Sequence, residues 1–167
     1  MSLELAEHPG GVETGPGPHV VYDLEAGEAH LGATRVAGPA LVWEVVGAPG
    51  AGDWVIRCDR VDFPPGGIAY RHVHPGPGIR RILFGALTID RGEGETTTYR
   101  EGESWLEDAD DPVLATASAT EDTAFVRVLL LPAEWAGKRT IRYLDPADED
   151  KPRLQRATVF LEEPLSA

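Results

Sequence analysis

The sequence predicts an all-β fold, a sandwich or a barrel, and three observations carry that expectation. Short segments of β character follow one another closely, turn residues occupy nearly every junction, and no segment before Pro132 holds a helical period. The junctions read GAPGAGD, PPGG, PGPG, RGEGE and EDADDP, where glycine, proline and aspartate supply the backbone angles of tight turns. A chain of 167 residues with 42% hydrophobic content suffices for one domain that buries about two-thirds of its unfolded surface.

Taken in order, residues 1–18 are rich in Gly, Pro and Glu and read as a flexible N-terminal arm. Strands are expected over His19–Leu24, His30–Ala37, Leu41–Val46 and Trp54–Phe63, then over Ile79–Asp90, Thr96–Arg100, Ser104–Glu107, Val113–Ser118 and Ala124–Leu131. Within Trp54–Phe63 the apolar residues change face, Trp54, Ile56 and Cys58 on one side and Val61 and Phe63 on the other. A bulge near Asp59–Arg60 would produce that shift of phase. Beyond Pro132 the texture changes: a helical turn at Pro132–Lys138, a charged turn at Pro146–Lys151 and a short strand at Ala157–Leu161. Residues 133–167 therefore form an extension expected to pack on the barrel or on a second subunit.

A formal charge of −13 argues against nucleic acid and against anionic membrane surfaces, because both need a basic footprint. One cysteine, Cys58, excludes an internal disulfide framework and any CxxC site, and fits a reducing cytoplasm. No apolar run approaches a membrane span, and MSLELAEHPGG has neither the basic start nor the apolar core of a signal peptide. GxSxG, P-loop and dinucleotide fingerprints are absent from the sequence.

The chemistry concentrates in GGIAYRHVHPGPGIRRILFG, Gly66 to Gly85. His72 and His74 are two residues apart on an expected strand, so both imidazoles project to one side, a natural pair of metal ligands or of catalytic groups. Arg80 and Arg81 must face opposite ways on a strand, and parity favours Arg80 as the inward one. A guanidinium beside two imidazoles repels a divalent cation and attracts a carboxylate, sulfate or phosphate. Val113, Ala115 and Ala117 would give the pocket a small apolar wall, and Tyr70, Trp43 and Trp105 could stack on a ligand or belong to the core. Cys58 reads as a buried structural thiol.

This stretch resembles the first motif of the cupins, G-x5-H-x-H-x3-4-E-x6-G. Gly66 opens it, His72 and His74 occupy its histidine positions, and Gly85 closes it, but Gly78 stands where the metal-binding glutamate belongs. A second motif, G-x5-P-x-G-x2-H-x3-N, begins at Gly102. Its proline and glycine positions read Asp108 and Asp110, its histidine falls on Val113 (Leu114 with a one-residue insertion), and its asparagine on Ala117. The resemblance covers Gly38 to Pro132. It implies a double-stranded β-helix, the cupin jelly-roll barrel, over residues 19–132, between the N-terminal arm and the C-terminal extension, and a homodimer. Three readings of the degenerate metal site follow. The pocket, lined by His72, His74, Tyr70, Arg80, Val113 and Trp43, binds a small anionic organic ligand, with the histidines as catalytic groups of a metal-independent isomerase or epimerase. Alternatively His72 and His74 hold Fe, Mn, Ni or Zn, as in cupin dioxygenases, with a third ligand drawn from Glu44, Glu107, His8, His19 or His30. In the third reading the barrel is a non-catalytic structural or regulatory scaffold.

Overall fold

The computed structural model describes residues 1–47 and 53–165. Its strands are β1 (Ser2–His8), β2 (Val12–Thr14), β3 (His19–Asp23), β4 (Glu28–Leu31), β5 (Thr34–Val36), β6 (Ala40–Val46), β7 (Trp54–Phe63), β8 (Ile68–Val73), β9 (Gly78–Phe84), β10 (Ala86–Asp90), β11 (Thr96–Arg100), β12 (Ser104–Glu107), β13 (Val113–Ala117), β14 (Thr123–Pro132), β15 (Arg142–Tyr143) and β16 (Arg156–Leu165). Two 3₁₀ turns, Ala133–Trp135 and Pro146–Asp150, are the helical elements among the described residues. No described helix is long and apolar enough to cross a membrane.

Two five-stranded antiparallel sheets, ordered β11-β10-β13-β8-β15 and β12-β9-β14-β7-β16, face each other as a double-stranded β-helix. Their inner faces enclose Val61, Phe63, Ile82, Leu87, Ile89, Trp105, Val113 and Phe125. A third sheet, β1-β6-β3-β4, packs on the outer face of the second. Trp43, Leu41 and Val20 of that sheet bury against Ile56, Cys58, Val126 and Val128. The central strands β7 and β14 are thus apolar on both faces, which is the pattern of a strand inside a layered core.

That layering corrects the expected bulge. β7 runs in unbroken register with β14 from Trp54 to Phe63, so its apolar residues change face because it has two cores to fill. The irregularity lies on the other side, in β16, where Val159 pairs with Asp59 and Leu161 with Cys58, leaving Phe160 over.

The expected flexible arm is corrected as well. β1 pairs with β6 over seven residues, and its alternation places Leu3 and Leu5 against the core while Ser2 and Glu4 face outward. Residues 19–46 lie in the outer sheet and the β2-β5 ribbon rather than in the barrel wall. The C-terminal extension joins the barrel on both sides: β15 adds to β8 and β16 to β7. The strand expected over Ile79–Asp90 is two, split at Gly85, whose φ of 78° and a Cβ position 2.4 Å from the Asp122 carbonyl oxygen require glycine.

Candidate functional site

His72 and His74 stand at the inner end of β8, buried, with ring centroids 4.9 Å apart and the rings edge to face. Between the pairs Val113–His72 and Ala115–Ala69 the register of β8 shifts, so Tyr70 and Arg71 together oppose Leu114. This bulge turns both Ala69 and His72 inward and takes Tyr70 out of the pocket, although Tyr70 and His72 share parity. The Tyr70 carbonyl accepts a 2.7 Å hydrogen bond from His72 Nδ1, and its ring lies 4.3 Å from Lys151 Nζ. The Tyr70 side chain therefore does not line the cavity.

Arg80 points inward as parity predicts and is 1% exposed, while Arg81 turns out to pair with Glu7 at 2.6 Å. The Arg80 guanidinium fills the space beside Gly78: its Nη1 donates to the Gly78 carbonyl at 2.6 Å, and its Nη2 lies 2.6 Å from Glu107 Oε2. A Cβ on residue 78 would sit 2.5 Å from Leu129 Cδ2 and 2.8 Å from the Val128 carbonyl oxygen. Glutamate does not fit there. Glu107, one of the candidate third ligands, is buried and also accepts from Trp105 Nε1 at 2.8 Å.

A second buried ion pair went unread in the sequence. Asp59 of β7 and Arg127 of β14 are register partners, joined by two hydrogen bonds of 2.7 and 3.1 Å. Arg127 Nη1 then reaches His74 Nε2 at 3.3 Å, where the ring nitrogen accepts. The available signals were a lone charge in the apolar run AFVRVLLL and an opposite charge midway along its neighbour.

These contacts make the two histidines unlike. With His74 Nε2 accepting from a guanidinium, its proton resides on Nδ1; with His72 Nδ1 donating to a carbonyl, its Nε2 is left bare. Burial pulls the His72 pKa down to about 4; the Tyr70 carbonyl and Glu107 oppose this and the two arginines add to it. Burial, then Arg127, Arg80 and His72, hold His74 well below the usual range. Both imidazoles are neutral at neutral pH. Arg80, lowered by burial to about 10, remains protonated.

His72, His74, Arg80 and Val113 share one cavity with Ala69, Ala115, Trp105, Glu107, Phe125 and Arg127. Trp43 does not reach it: β6 belongs to the outer sheet, and Trp43 is fully buried in the other core. The cavity measures only about 30 Å³, because the two guanidiniums occupy the centre of the barrel. Val61, Arg127, Ile141 and Gln155 form the wall between it and an open groove of about 530 Å³ at the barrel mouth.

A divalent cation does not fit this donor set. Arg127 caps His74 Nε2, Glu107 is engaged by Arg80 and Trp105, and two permanent positive charges stand beside the imidazoles. Among the described residues no three His, Cys, Asp or Glu side chains are grouped to hold a metal. Of the third ligands considered, Glu44 is exposed on β6, and His8, His19 and His30 belong to the outer sheet. Cys58 is buried on the far face of β7, where burial and then Asp59 push its thiol upward, so it is structural.

The profile described as cupin domain matches residues 59–128. No curated protein matches the chain. Among solved structures, the polyketide cyclase RemF from Streptomyces resistomycificus is similar at 18% identity and a TM-score of 0.45, over 63% of this chain and 73% of that one. A conserved double-stranded β-helix protein from Klebsiella pneumoniae subsp. pneumoniae is similar at 24% identity and a TM-score of 0.41, over 59% and 82%. An oxalate oxidase in complex with glycolate gives 16% identity and a TM-score of 0.42, over 83% and 87%.

Proposed function

We propose that this chain, whose residues 59–128 match the cupin-domain profile, is a cupin whose barrel is a metal-free binder of a small organic anion, held at the mouth above a converted metal site. The observation that carries this reading is the Arg80 guanidinium beside Gly78, where a ligand carboxylate would stand in a metal-binding relative. A site that has exchanged an anionic ligand for a cation favours anions over divalent metals. Arg127 adds donors at the inner end of the groove: three of its five N–H groups bond Asp59 and His74, and two remain free. His72 Nε2 is the bare basic nitrogen behind that wall, and it is the atom that would take a proton from a bound acid in an isomerisation or epimerisation. His74, locked by Arg127, has a positioning role. For this chemistry the Gln155 and Ile141 side chains must swing aside to join cavity and groove.

A second reading, the non-catalytic scaffold, is favoured by the size of the inner cavity, since about 30 Å³ holds no organic molecule. The metal-dependent dioxygenase reading has the donor set against it. The proposal further assigns the protein to a reducing cytoplasm, in keeping with its single free thiol, and to a homodimer that covers the sheet edge at β12, where Leu106 is 47% exposed.

Nitrogen-detected spectra of the histidine rings test the proposal, recorded as acetate or octanoate is added. The His72 Nε2 signal is expected to move while its Nδ1 stays protonated, and the melting temperature to rise. If both anions leave the His72 ring and the melting temperature unchanged, the proposal fails.

A further inference from the structure

The groove at the barrel mouth is built largely by the C-terminal extension, and its charge is opposite to that of the whole molecule. Ten of its fourteen lining residues lie between Gly137 and Glu162, and the other four come from β7 and β14. Two of the lining cations are neutralised: Arg57 by Glu162 and Arg127 by Asp59. Three are not. Arg139 and Arg153 share the single carboxylate of Glu149, at 3.3 and 2.6 Å, and Lys138 has no carboxylate within 4.0 Å among the described residues. Roughly two positive charges are thus left over on one rim of a protein whose formal charge is −13.

The groove also has apolar lining. Val61, Ile141, Ala157 and Val159 line it, and Val159 is 51% exposed to solvent. Apolar lining together with a cationic rim, in a groove of about 530 Å³, matches a ligand with two unlike ends. The unpartnered, buried Oε1 of Gln155 marks the inner end, between groove and histidine cavity.

We infer that the groove binds an amphiphilic organic anion: a carboxylate or phosphate head on Lys138, Arg139 and Arg153, and an aliphatic or aryl body along Val61, Ile141 and Val159. This rests on the reading of the barrel as a binder of organic anions and names the class of anion. Head and body both contribute, so neither a bare anion nor a neutral apolar molecule satisfies the site.

Titration calorimetry of the full chain at low salt tests this with three probes: octanoate, acetate and 1-octanol. Octanoate is expected to bind once per chain, at least about tenfold more tightly than either of the others. Its affinity should fall with added sodium chloride, and by about tenfold or more in Lys138→Glu/Arg139→Glu, two exposed positions whose replacement leaves the core untouched. Acetate binding as tightly as octanoate would overturn the apolar lining. Octanol binding as tightly, or full affinity in the double variant, would overturn the cationic rim. If acetate moves the His72 signal and octanoate gains nothing over it, the binding reading stands and this inference falls. If none of the three binds, both fall.

Discussion

His72 and His74 are two residues apart on one strand, yet their neighbours give them different work. A carbonyl holds the His72 proton on Nδ1, and a guanidinium holds the His74 proton there by occupying Nε2. The first is left with a free basic nitrogen and the second without one. Their shared burial has a consequence for stability. His72 folds with a pKa near 4, below its ordinary value of 6.5, so between those values the unfolded chain takes up a proton that the folded one refuses. Stability fully present above pH 6.5 is therefore lost as pH falls toward 4, by up to about 3 kcal/mol from this residue. His74 acts in the same direction. Urea midpoints measured from pH 7 to 4.5 should fall steeply in the natural protein and less steeply in His72→Gln. Parallel slopes in the two would contradict this account of the site.

The inward turn of Arg80 was legible, because alternation admits only one of two adjacent arginines to the barrel. Tyr70 was not, because the same rule fails across a bulge that no local residue pattern announces.

Among the elements, β7 and β14 carry the most weight. They pair over ten residues, separate the two cores and bring Asp59 against Arg127. Removing the cation alone strands a buried carboxylate, whereas replacing both partners with apolar groups removes the desolvation cost as well. Arg127→Met is expected to cost about 3–5 kcal/mol, and Asp59→Leu/Arg127→Met to recover most of it. Denaturation of the two variants checks this, and equal losses in both would mean that the pair is not a coupled unit. Both strands were readable as elements, β7 to the residue, because turn chemistry brackets them. What the double apolar face of β7 meant was not readable, since two cores and a bulge leave the same pattern in one strand. β1 shows the reverse: the alternation of Leu3 and Leu5 was present, but the glycines and prolines after His8 masked it.

At the scale of the molecule, three β layers place a barrel centre of paired charges behind a groove of surplus positive charge. The barrel follows from the spacing of turns and from the histidine motif, both local in sequence. The groove could not be read that way, because residues 137–162 meet β7 and β14 only through long-range pairing. The proposed function holds that Arg80 and Arg127, standing beside His72 and His74, exclude a metal from this barrel. The most direct measurement is the metal content of untagged protein after dialysis against Mn, Fe, Ni and Zn ions, by elemental mass spectrometry against protein concentration. The account predicts far less than one ion per chain for each metal. One ion per chain, lost in His72→Ala/His74→Ala, would contradict it.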